Sequence, residues 1–177
     1  MSFYQTPANI FNPIADSGLC EGRVLLPLGS SRVLEDALKS AGVSEIITAP
    51  DEFSYLKNEW WNQLPPFDWC VAITQGLGST LDWVIEPGYE LSKRGLIVLD
   101  RLTFLEPTRK RQDFLTSKRL TSLIVLNPRP EFRADQKKSK DSVTSAWFVF
   151  DKTADLNKGT NIEYAVSWQR PRSFLGK

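Results

Sequence analysis

Two short turns carry the residues best placed for chemistry. The first is Thr74-Gln75-Gly76-Leu77-Gly78, directly after the apolar run Trp69-Cys-Val-Ala-Ile73. Gln75 brings an amide and Gly76 an unhindered backbone carbonyl, both hydrogen-bonding groups, although Gln75 also reads simply as a polar residue in a flexible Gly-Gly turn. The second is Leu26-Pro27-Leu28-Gly29-Ser30-Ser31-Arg32. A glycine at the mouth of a helix lets the backbone approach a ligand, and the first helical N–H groups favour an anion such as phosphate. The chain has no histidine and two cysteines, Cys20 and Cys70. Ser-His and Cys-His nucleophiles are therefore excluded within it, and a structural zinc site has too few soft ligands. Chemistry must rest on carboxylates, amides, hydroxyls, backbone groups or a bound cofactor, with no metal.

These turns need elements to hold them. Arg23-Val-Leu-Leu-Pro-Leu28 reads as a short buried strand. Ser30 or Ser31 can cap a helix running to Ala41, with Val33, Leu34, Ala37, Leu38 and Ala41 at helical spacing, and Gly42 ends it. Glu45–Thr48 is a second strand, stopped by Ala49-Pro50, and Phe53–Leu64 is aromatic-rich and weakly helical up to Pro65-Pro66. Residues 79–92 place Leu81, Val84, Ile85 and Leu91 near one helical face, which Pro87-Gly88 must kink or interrupt. Further strands are expected at Gly95–Leu99, Leu120–Leu126, Ser145–Phe150 and Ile162–Trp168, with a helix over Pro107–Leu115.

Strands alternating with helices predict an α/β fold, a mainly parallel sheet with helices on both faces. The last two strands have no helix between them, which predicts an antiparallel hairpin at one edge. Arg133–Asp141 reads as a charged, mobile loop. Residues 1–169 are expected to form one domain and 170–177 a loose tail.

Composition fits a soluble globular chain: 177 residues, 41% hydrophobic and 24% charged. Apolar runs such as Leu96–Leu99 and Leu123–Leu126 are too short to cross a bilayer. The start, Met1-Ser-Phe-Tyr-Gln-Thr-Pro7, has neither a basic region nor a long apolar stretch, so no export signal is expected. Two separated cysteines read as free thiols in a reducing cytoplasm. The net charge of +1 hides an asymmetry: residues 1–92 hold four Lys/Arg and twelve Asp/Glu, residues 93–140 thirteen and five. Such polarity can orient a chain on a phosphate backbone, unless the two blocks neutralise each other in space. Trp69 and Trp147 fall in strands and read as core, whereas the adjacent Trp60-Trp61 offers a contact surface.

Several stretches resemble small phage and prophage DNA adenine methyltransferases, which have the class I, Rossmann-like fold and use S-adenosylmethionine. They are Tyr4-Gln-Thr-Pro7, Phe67-Asp68, Arg94-Gly-Leu-Ile-Val-Leu-Asp-Arg-Leu-Thr-Phe-Leu-Glu106, Asn127-Pro-Arg-Pro-Glu-Phe132, and Asp141 through Ala146-Trp-Phe-Val-Phe-Asp-Lys152. The resemblance implies cofactor contacts from Tyr4, Thr6, Pro7, Pro27, Gly29 and Asp51. It also implies DNA near the basic half, at Arg109, Lys110, Arg111, Lys137, Lys138 and Lys140.

The chain departs from the family where the chemistry lies. At the turn after the central strand the family carries an Asn or Asp, two prolines and an aromatic that stacks on the flipped adenine. Here Gln75, Gly76, Leu77 and Gly78 stand instead, and an aromatic platform is worth about 1–3 kcal/mol per base. In the first turn Leu26 replaces an acid, and Ser31 or Arg32 replaces a glycine, so a bulky side chain is expected to obstruct the methionine part of the cofactor. Thr48-Ala49-Pro50 stands where the family grips the ribose with an acid; Asp51 comes late. The expectation is a degenerate, non-transferring methyltransferase-like protein, a pseudoenzyme without cofactor, possible phage ancestry being implied by the family alone. It would act as a binding module for a protein partner or DNA. The alternative is an active, divergent S-adenosylmethionine-dependent DNA methyltransferase with Gln75 orienting the amine.

Overall fold

The structure, a computed structural model, describes residues 6–7, 9–50, 54–73, 78–106, 108–109, 111–132, 144–155 and 157–170. Seven strands form one sheet: β1 Gly22–Leu26, β2 Val43–Thr48, β3 Trp69–Ile73, β4 Gly95–Arg101, β5 Ser122–Asn127, β6 Ser145–Asp151 and β7 Asn161–Val166. Their spatial order is β2-β1-β3-β4-β6-β5-β7. Among the described residues five α-helices accompany them: α1 Asn12–Asp16, α2 Arg32–Ser40, α3 Asn58–Gln63, α4 Ile85–Leu91 and α5 Gln112–Ser117.

Alternation along each strand divides the core in two. Val24, Leu26, Val71, Ile97, Leu99, Trp147 and Val149 face one side, under Ile14 of α1 and Leu34 and Leu38 of α2. Leu25, Cys70, Ala72, Leu96, Val98, Phe148 and Phe150 face the other, under Trp61 of α3, Ile85 of α4 and Phe114 of α5. Each fully buried Val, Leu, Ile or Phe among them contributes roughly 1.5–3 kcal/mol relative to exposure. The mainly parallel sheet covered on both faces is thus the fold the sequence predicts.

The reversed strand lies elsewhere than expected. β6 runs antiparallel between β4 and β5, and β7 pairs parallel to β5 as the outer strand. The last two strands therefore form no edge hairpin. The cause is burial: β6 is buried at Ser145–Phe150, which demands neighbours on both sides, while β7 is mostly exposed.

The stretch after β3 also differs. Gly78–Trp83 is a 3-10 turn, and α4 starts only at Ile85. Pro87 then falls in the first turn of α4, where its missing N–H breaks no helical bond, so it need not interrupt the helix. Gly88 packs on the sheet so closely that a Cβ there would lie 2.6 Å from the Cys70 Sγ. Leu91, expected on the apolar face, is exposed. Trp61 is buried and donates through Nε1 to the Tyr55 carbonyl at 2.9 Å, with Trp60 half-buried against the same core. Those two rings belong largely to the core rather than to a contact surface.

α1 was not foreseen. It is held by Ile10, Phe11 and Ile14, all buried, and by the Trp147 indole donating to the Ile10 carbonyl at 2.9 Å. Asn9 Nδ2 donates to the Gln169 carbonyl, and Asn12 Nδ2 reaches the carbonyls of Trp168 and Arg170. The chain is thereby fixed as far as Arg170, one residue into the expected tail; residues 171–177 lie outside the described residues.

Candidate functional site

The chain leaves β1 toward β2 on one side, then crosses to β3 on the other. The carboxyl ends of β1 and β3 therefore flank a topological switch point, where open α/β sheets bind ligands. Both turns singled out by the sequence follow these two strand ends.

At the end of β1, Pro27 is buried and Leu28 packs into the core beside α3. Gly29 has φ +84°, a left-handed conformation that favours glycine. A Cβ built there meets nothing within 4 Å. Ser31 caps α2, its hydroxyl accepting from the Leu34 amide at 3.3 Å. Arg32 extends into solvent, its side chain 94% exposed, with Asp36 3.9 Å away. Of the side chains near this turn, Leu28 packs against the core, Ser31 caps α2 and Arg32 reaches solvent.

The end of β2 is tied to β1 by the Ala49 amide donating to the Leu26 carbonyl at 3.3 Å. Thr48 and Pro50 are exposed. Thr6 and Pro7 are half-buried, and the Pro7 carbonyl accepts from the Ile10 amide at the approach to α1. At the end of β3, Gly78 opens the 3-10 turn. Tyr4, Asp51, Gln75 and Gly76 lie outside the described residues, as do Lys110, Lys137, Lys138 and Lys140.

The basic set does not stay together as a surface. Arg109 is exposed. Arg111 turns inward: its Nε lies 2.8 Å from the Asp82 carboxylate, and its Nη1 donates to the Phe104 carbonyl at 2.9 Å. The guanidinium also lies 5.2 Å from the centre of the Phe104 ring. Its side chain is 13% exposed and that of Asp82 7%. This ion pair fastens the start of α5 to the 3-10 turn after β3 and leaves little of Arg111 for a phosphate. Lys118 likewise pairs with Glu90. Two cations of the basic block are thus neutralised by acids of the acidic block, so the charge asymmetry is partly cancelled within the fold.

The opposite rim of the sheet shows polar groups whose bonding the sequence does not reveal. Asp68 accepts from the Arg23 amide at 2.8 Å, and its carbonyl accepts from the Arg94 amide at 2.8 Å. Lys152 Nζ donates to the carbonyls of Ser92 and Glu90 at 2.6 and 3.2 Å and sits over the Tyr89 ring. Burial pushes Lys152 below the usual lysine range, whereas the hydrogen bond to Glu90 holds Lys118 above it. Burial pushes the Cys20 thiol up to about 12, and Cys70 upward as well, so both are protonated and inert as nucleophiles at neutral pH. Among the described residues no group of three or more His, Cys, Asp or Glu is placed to hold a metal ion. No helix among them is long and apolar enough to cross a membrane.

No protein-family model matches the chain, and no curated protein matches it. Among solved structures, it is similar to a Listeria monocytogenes protein assigned as a class I S-adenosylmethionine-dependent methyltransferase. The TM-score is 0.60 at 15% identity, over 99% of this chain and 70% of that one. A weaker likeness, with a TM-score of 0.42 at 12% identity, is to an Agrobacterium tumefaciens protein predicted to be an O-methyltransferase. It covers 91% of this chain and 86% of the other. The chain therefore has the class I methyltransferase fold, with one reversed strand set inside a parallel sheet.

Proposed function

We propose that the chain is a methyltransferase-fold binding module that does not transfer a methyl group to adenine. One observation carries this reading. β3 is intact, buried and paired between β1 and β4, yet the turn that follows holds Gln75-Gly76-Leu77-Gly78. Gln75 places an amide oxygen one methylene further out than Asn, Gly76 lacks the rigidity of proline, and Gly78 supplies no ring for stacking. Proper positioning is most of what such direct transfer requires. Of the two partner classes, protein is favoured over DNA, since Arg111 and Lys118 are committed to Asp82 and Glu90.

A second reading, an active divergent methyltransferase, is favoured by one observation: the backbone around Gly29 is open. On this reading an adenosine-type cofactor would lie there. Gly29 and the α2 N-terminus offer backbone approach, and Thr6, Pro7 and Pro27 are the other described candidates. S-adenosylmethionine, if bound, supplies the activated methyl group.

Calorimetric titration with S-adenosylmethionine and its demethylated product separates the readings. Absent or weak binding supports the module; tight binding joined to methyl transfer overturns it. A gel shift on duplex DNA at two salt concentrations tests the partner class. No shift at low salt supports a protein partner, and a salt-sensitive shift lost in Arg109→Ala restores DNA.

A further inference from the structure

Resting on the binding-module reading for its purpose, though not for its geometry, we propose that the outer edge of β7 receives an extended segment of another protein. That segment has alternating apolar and basic residues and pairs as an eighth strand.

Among the described residues β7 pairs with β5 alone. The Asn161 amide donates to the Thr121 carbonyl and the Ser167 amide to the Asn127 carbonyl, both at 2.9 Å. Odd-numbered residues therefore turn their backbone groups toward β5. Ile162, Tyr164 and Val166 turn theirs outward, to the free edge. Their side chains are 58%, 68% and 65% exposed. Ile162 and Tyr164 lie beside Leu123 and Val125 in register, so this stripe continues the buried face of β5 into solvent. The strand holds no proline, no lysine and no break in register; of the usual devices that guard an edge it has a single charge, Glu163. β2, at the other edge, is better guarded. Its Ser44, Glu45 and Thr48 are exposed and polar, and Glu45 is tied to Arg23 at 2.7 Å.

The other face of β7 decides what fits. Glu163 points there, one carboxylate oxygen accepting from the Asn161 side-chain amide, beside a cavity of about 330 Å³ lined also by Asn12, Pro13, Asp16, Ala165 and Trp168. An added strand would send alternate side chains toward this cavity and toward the Ile162–Tyr164–Val166 stripe. Pairing of β7 with a second copy about Tyr164 would bring two Glu163 carboxylates together as diagonal neighbours, an unfavourable contact. A lysine or arginine facing Glu163, flanked by apolar residues, is complementary to both faces.

The test uses the full chain and a fluorescein-labelled heptapeptide of sequence Thr-Val-Lys-Val-Arg-Ile-Thr, read by anisotropy. Three controls accompany it: a form with Glu for Lys and Arg, a form N-methylated at alternate residues, and an unlabelled competitor. Saturable binding is expected, weakened about tenfold or more by N-methylation, by the acidic exchange, and by Glu163→Lys or Tyr164→Lys in the protein. N-methylation leaves the protein untouched, so loss of folding in a variant cannot mimic its effect. Equal binding of the N-methylated or acidic form overturns the proposal, as does no binding. Binding only after residues 171–177 are removed assigns the edge to the chain's own tail. A dimer in sedimentation that Tyr164→Lys dissolves assigns it to a second copy. Either result also overturns the proposal. Methyl transfer by a chain that still binds the peptide sinks the binding-module reading alone.

Discussion

The amino rim of the sheet and the crevice at the carboxyl ends of β1 and β3 differ in their described polar contacts. At the amino ends of the parallel strands a continuous belt of hydrogen bonds runs from β1 to β7. Arg23 and Asp68 exchange bonds, Asp68 receives Arg94, and the Arg94 carbonyl receives Lys152. The Thr121 hydroxyl bridges the Val149 carbonyl and the Asp151 amide, and the Thr121 carbonyl receives Asn161. At the carboxyl ends of β1 and β3 the described residues add one such bond, from the Ala49 amide to the Leu26 carbonyl, beside a left-handed Gly29 whose α-carbon has free space around it. Groups bonded to each other hold a fold, and a strand-switch crevice is where open α/β sheets take ligands, so the proposed binding reading draws on one rim and stability on the other.

Substitutions at each rim can break or sharpen that contrast. The largest effect is expected from Gly95→Ala in the belt. Gly95 has φ +155°, and a Cβ would lie 2.0 Å from the Phe150 carbonyl oxygen. A loss above about 4 kcal/mol is expected in urea unfolding, enough to abolish folding. Next comes Arg111→Ala, which strands the Asp82 carboxylate at 7% exposure. A loss of roughly 3 kcal/mol is expected, where Arg109→Ala leaves the unfolding midpoint unmoved. Equal effects of the two would return Arg111 to the surface set.

Asp68→Ala leaves the Arg23 amide without its acceptor and is expected to cost about 1–3 kcal/mol. Cysteine ionisation gives a smaller effect with a definite sign. The Cys20 thiol is raised from 9.0 to about 12 in the fold, so its contribution is complete below pH 9. It declines as pH rises from 9 toward 12, because the unfolded chain releases a proton that the fold retains. Urea midpoints at rising pH should fall over that window, and less so in Cys20→Ala. Both thiols should resist alkylation in native buffer and react on unfolding. The smallest stability change is expected from Gly29→Ala, about 1 kcal/mol for the left-handed backbone alone, read from the same unfolding curves.

Strand positions were legible because apolar runs such as Trp69–Ile73 and Leu96–Leu99 have few other readings. The direction of β6 was not, since a run buried on both faces looks the same in either sense; only the outer, half-polar β7 hints at which strand is inside. Pro87 misled because its effect depends on where the helix begins, and the 3-10 turn at Gly78–Trp83 moved that start. The first turn of the site was located, and its glycine recognised, but the fate of its neighbours was not. Whether Ser31 or Arg32 blocks a crevice depends on a helix cap and on solvent exposure, which type and spacing do not reveal. Arg111 was read with its neighbours as a charge run, although its partner Asp82 lies 29 positions away in sequence. Asp68 was noted for resemblance, and its role in the belt emerges only once β1, β3 and β4 are side by side.

The most direct test is transfer of labelled methyl from S-adenosylmethionine to adenine-containing duplex DNA, with the chain in excess over DNA. The altered turn after β3 predicts no label above the protein-free control. Incorporation that depends on Gln75, lost in Gln75→Ala with folding preserved, would contradict the binding-module account.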